Sequence, residues 1–117
     1  MASENVTSSQ VAVARCRSTL TLLIGLRHEE IDDGNAPMYQ VSLRAIAQTL
    51  DEAEDSDGGL NLMFANKVLS VAEASVWDFL AQEAPAPALE DLRETMSLAI
   101  QYVDRATAEA TASSATP

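Results

Sequence analysis

The helix breakers constrain this chain more than any other feature. They gather in three places: Asp32-Asp33-Gly34-Asn35-Ala36-Pro37, Asp55-Ser56-Asp57-Gly58-Gly59 and Ala84-Pro85-Ala86-Pro87. Apart from Gly25 and the terminal Pro117, every glycine and proline lies inside one of them. The stretches between are long, alanine-rich and poor in β-branched clusters, which favours helix over strand. The spacing therefore predicts four helices, over 8–31, 37–54, 60–83 and 88–112, and no strand.

Each stretch carries a 3–4 apolar rhythm. The first has Val13, Cys16, Leu20, Leu23 and Ile24, opened by Thr7-Ser8-Ser9-Gln10, which reads as a capping box. Leu22 and Leu26 add apolar surface on another side, so this helix is expected to be buried on more than one side. The second has Tyr39, Leu43, Ile46, Leu50 and Ala53, with Pro37 in its first turn and Asn35 as its cap. The third repeats Leu62, Leu69 and Val76 every seven residues, interleaved with Ala65, Ala72 and Phe79. The fourth runs Leu89, Leu92, Met96, Ala99, Val103, Ala106 and Ala110 in alternating steps of three and four, the seam of a bundle.

Short connections make sequential helices antiparallel neighbours, so the expected fold is all-α, an up-down-up-down four-helix bundle. At 117 residues this is one domain. We expect a flexible N-terminus over 1–7, the bundle over 8–112 and a disordered tail over 113–117. Ser42-Leu43-Arg44-Ala45-Ile46-Ala47-Gln48 echoes Ser97-Leu98-Ala99-Ile100-Gln101, which raises the possibility of two related hairpins. The apolar surplus on the first and third helices suggests a homodimer. Leu22, Leu26 and Trp77 are its candidate interface. Of Trp77 and Phe79, two residues apart, one should be buried and the other at an interface.

Charge is unevenly laid out. Lys and Arg total 7 against 18 Asp and Glu, a formal charge of −11. That argues against direct binding to nucleic acid or an anionic membrane, both of which need a basic face. Residues 28–59 hold nine carboxylates against Arg44 alone. Glu29, Glu30, Asp32 and Asp33 are expected to end the first helix. Asp51, Glu52, Glu54 and Asp55 are expected to end the second. Anions at a helix C-terminus oppose its dipole, at about 0.3–1 kcal/mol each at low salt. Some of them should cap the next helix and the rest keep the chain soluble. The functional alternative is an acidic docking surface for a basic partner, at Asp51, Glu52, Glu54 and Asp55.

Catalytic patterns are sparse. Glu29-Glu30-Ile31-Asp32-Asp33 followed by Glu52-Ala53-Glu54-Asp55 resembles the EExxE…ExxD signature of all-α nucleotide pyrophosphohydrolases of the MazG type. That resemblance implies carboxylates holding Mg²⁺ against a triphosphate. Asp33 stands where the signature has a third Glu. The helix between the two groups sets them roughly 25 Å apart. Asp55-Ser56-Asp57-Gly58 resembles the middle of a calcium loop, but the register puts Ala53 and Phe64 where Asp and Glu are required. His28 is the only histidine, and Glu29-Glu30-Ile31 after it does not fit a phosphotransfer helix; a solvated or salt-bridged ring is expected. Cys16 lies between Arg15 and Arg17, which could favour a thiolate. It also lies on the apolar stripe, where a small core residue is the better reading.

The sequence thus points to a small acidic regulator or adaptor that sequesters a protein client, without cofactor or metal. Antitoxin-like, antiactivator, chaperone-like and inhibitor roles all fit that description. A metal-dependent phosphohydrolase and a self-assembling structural protein are the alternatives. One cysteine, no apolar run long enough to span a membrane and a polar start suggest a cytoplasmic setting. Six Arg to one Lys and 20 alanines hint at a GC-rich bacterial or phage genome.

Overall fold

The computed structural model describes residues 8–53 and 59–115. They form four helices: α1 (Ser8–Ile24), α2 (Ala36–Ala53), α3 (Gly59–Leu80) and α4 (Leu89–Ala115). No strand occurs among the described residues. The helices close a ring: α1 packs on α2 and α4, and α3 packs on α2 and α4. α1 and α3 therefore occupy opposite corners. The body is elongated, 53 × 24 × 19 Å. The expectations for residues 1–7 and 116–117 lie outside the described residues. α4 carries its helix through Ala115, three residues beyond its expected end.

The inward stripes are the expected ones. Leu20, Tyr39, Leu43, Leu50, Leu62, Leu69, Val76, Met96 and Val103 are fully buried. The step from sequence to packing is direct here, because one apolar face per helix meets two neighbours at the ring centre. The echo between 42–48 and 97–101 does not extend to packing: Leu43 is buried while its counterpart Leu98 is exposed.

α1 departs from expectation. It ends at Ile24, not Ile31, and 25–35 form an irregular connection. Tertiary contacts outweigh helix propensity in this stretch. Ile31 is buried as an anchor of the loop. Arg93 on α4 donates from Nη2 to the carbonyls of Leu26 (3.0 Å) and His28 (3.1 Å). An intact helix would spend the Leu26 carbonyl on its own ladder. Nor is α1 buried on more than one side, since Leu22 is 70% exposed.

The cap of α2 is Asp32, not Asn35. The Asp32 carboxylate accepts the N–H groups of Gly34 (2.8 Å) and Asn35 (2.9 Å). Asn35 reaches back through Oδ1 to the N–H of Asp32 at 2.9 Å, a reciprocal box with Asn in the place usually held by Glu or Gln. One of the acids thus caps the next helix, as its position allowed.

α3 ends three residues early in a Schellman motif. Gln82 takes a left-handed φ of 62°. Its N–H bonds the Phe79 carbonyl at 3.0 Å, and the Glu83 N–H bonds Asp78 at 2.8 Å. Pro85 and Pro87 then keep the chain from resuming the helix.

Candidate protein-binding site

Asp51 and Glu52 lie in the last turn of α2 and both are exposed. Neither has an ion-pair partner among the described residues. Consecutive helix positions diverge by about 100°, so the two carboxylates address different sides of α2. Asp51 borders a polar groove between α2 and α3, with Arg44 and Gln48 beside it. Asn66, Ser70 and Glu73 form the α3 wall. Asn66 Nδ2 donates to the Ala47 carbonyl at 2.6 Å and ties the two helices together. The groove therefore offers two carboxylates, two amides and a hydroxyl on a fixed frame, with the Arg44 guanidinium among them, a polar surface of mixed charge with one acid in excess. Glu54 and Asp55, the other half of the expected acidic cluster, lie outside the described residues.

The apolar interface candidates do not come together. Leu22 faces out from α1, and Trp77, 54% exposed, faces out from α3. Those helices sit at opposite corners, so no single flat partner covers both. Leu26 is half-buried against the core, and Arg93 holds its carbonyl. Phe79 is half-buried against the core while Trp77 is exposed. The periodicity missed the polar α2–α3 groove, because its residues alternate between two helices. The signal available was the run of polar positions Arg44, Gln48 and Asp51 at 4–3 spacing.

His28 has no ion pair among the described residues. It is half-buried, with Nδ1 3.0 Å from the Tyr39 hydroxyl and the rings edge-to-face at 70°. Burial pushes the Tyr39 phenol above its ordinary value of 10.0, and the nearby Arg93 guanidinium partly offsets this. Arg93 also pairs with Glu90 at 2.8 Å. This cluster fastens the 25–35 connection to α4; it is a joint of the fold. Cys16 is a buried free thiol. Burial raises it above the ordinary 9.0, with Thr49 pulling the other way. A thiol held protonated is a poor nucleophile, so the core reading describes Cys16 better than the reactive one.

The carboxylates of the MazG-like pattern stay apart. Glu29, Glu30, Asp32 and Asp33 lie in the connection before α2, and Glu52 lies in its last turn. Eighteen helical residues at 1.5 Å each put about 27 Å between them. Among the described residues no three metal-ligating side chains converge, and no helix is long and apolar enough to cross a membrane. No protein-family model matches the chain, and no curated protein or solved structure is significantly similar to it.

Proposed function

We propose that this chain is a small acidic regulator or adaptor, not an enzyme, that holds a basic protein client through the C-terminal end of α2. The observation that carries the reading is that Asp51, beside a polar groove, and Glu52, on another side of the same turn, are exposed and have no ion-pair partner among the described residues. Both oppose the α2 dipole, so their presence works against the stability of the helix that bears them. A cost borne at a surface position is a reason to look for a binding role there.

The scaffold is read as an up-down-up-down bundle in a homodimer. Cross-helix contacts support the alternation. Arg17 meets Asp104 while Arg93 meets the Leu26 carbonyl, so higher positions on one chain segment meet lower positions on the other. Asn61 with Glu109 and Phe64 with Tyr102 repeat this trend between α3 and α4. A free, buried cysteine suits a cytoplasmic setting.

The test begins with affinity capture from the source cell at low and moderate salt, followed by binding measurements on the purified client. A client held through α2 binds at low salt and is lost at moderate salt, where exposed charges are screened beyond about 8 Å. Neutralising Asp51, Glu52, Glu54 and Asp55 to Asn and Gln should weaken binding and leave the melting temperature equal or higher. Unchanged affinity in that variant would sink the acidic-docking reading. A client that survives salt would move the site to an apolar face.

A further inference from the structure

α3 is apolar on two sides. Its core stripe is buried, and a second stripe lies opposite at the same 3–4 spacing: Leu60, Phe64, Lys67, Val71, Ala74 and Asp78. Leu60 and Val71 are 65% and 70% exposed, and Phe64, Lys67 and Ala74 are exposed as well. On a chain of net charge −11, this stripe is neutral, with one lysine and one carboxylate. A basic client finds no row of acids here, and an acidic client finds a single cation.

We infer that a second copy of the chain covers this stripe, α3 against α3 in opposite directions about a two-fold axis. A two-fold interface must be self-complementary: if residue i meets j, then j meets i. From Lys67 to Asp78 the stripe meets that demand in one register, while Leu60 and Phe64 lie level with Pro85 and Ala81 in the partner's α3–α4 connection rather than with its α3. With the axis level with Ala72 and Glu73, Lys67 faces the partner's Asp78, and Asp78 faces the partner's Lys67. The same register sets Val71 against the partner's Ala74, large on small. It also brings Trp77, on the flank of the stripe, to about 3 Å along the axis from the level of the partner's Ser70. Parallel pairing would instead set Lys67 beside its own copy and Asp78 beside its own, which repel. The inference deepens the dimer proposed above and is independent of the client at α2.

Sedimentation velocity on the full chain over a concentration series tests it, with circular dichroism to check that each variant is helical. The wild-type chain should sediment as a dimer at high concentration. Val71→Glu, at an exposed position, should leave a monomer. Lys67→Asp alone and Asp78→Lys alone should each weaken the dimer about tenfold or more, since each sets like charges face to face twice. The double variant Lys67→Asp with Asp78→Lys should recover the dimer. A wild-type monomer at every concentration overturns the inference, as does a dimer indifferent to Val71→Glu. A double variant no tighter than the singles overturns the register. None of these outcomes touches the α2 docking reading, whose test is client affinity.

Discussion

Gln82 has the left-handed backbone that closes α3, a conformation in which a side chain with a Cβ is strained and glycine is not. The Schellman bonds to Phe79 and Asp78 hold it there. Gln82→Gly should therefore stabilise the protein by about 0.5–1 kcal/mol, the relief of strain less the extra freedom glycine has in the unfolded chain. Chemical denaturation reads this as a higher midpoint at unchanged slope. A lower midpoint would mean that the Gln82 side chain contributes more than its backbone costs. The position was hidden in the sequence, because helix ends are usually found by their glycine and here none is present. Asp32 was half legible for a related reason. It stood in a run of acids and turn residues, and only the reciprocal bonds with Asn35 select it from its neighbours.

At the scale of elements, α2 was readable nearly to the residue, since its one apolar stripe is bounded by breakers, and α4 was readable at its start but runs three residues past its expected end. α1 was not. Counting Gly25, Leu22 to Leu26 is the longest apolar run in the chain and looks like helix, yet the helix stops at Ile24. Gly25 follows at once, and Arg93, 67 residues away, holds the Leu26 carbonyl outside any helix ladder; no local pattern reports so distant a partner. Its side chain is three-quarters buried, and its guanidinium serves two main-chain carbonyls and Glu90. Arg93→Met keeps the stem and removes the donors, leaving the Leu26 and His28 carbonyls without them. Hydrogen bonds to a charged group contribute about 1.5–3 kcal/mol, so a loss of that order is expected. Hydrogen exchange should show the loss concentrated in 25–35 and the adjoining end of α1. Uniform loss across all four helices would mean that the connection and the bundle open as one unit. The acidic candidate site was legible as composition but not as geometry. The sequence groups Asp51 with Glu52, whereas helical rotation turns one toward the α3 groove and the other away from it.

Across the whole molecule, charge repulsion opposes folding. Eighteen carboxylates face seven cations, and the described residues hold two ion pairs, Arg17–Asp104 and Arg93–Glu90. The first is exposed on both sides and contributes little. The body is 24 × 19 Å across. At about 0.01 M salt the Debye length is about 30 Å, so carboxylates interact across the full width of the bundle. Near 0.15 M it shrinks to about 8 Å, and only neighbours remain coupled. Screening relieves more repulsion than it removes attraction, because acids outnumber bases by more than two to one. The melting temperature should therefore rise as sodium chloride goes from low to physiological concentration, and then level off. The variant neutralised at Asp51, Glu52, Glu54 and Asp55 should start higher and rise less. A flat or falling curve for the wild-type chain would mean that its few attractive pairs outweigh the sum of its repulsions. The dimer proposed through α3 brings two acidic bodies together, so its association should strengthen over the same salt range in which client binding at α2 weakens. Opposite salt responses of self-association and client binding, measured on one preparation, would assign the two surfaces to different partners.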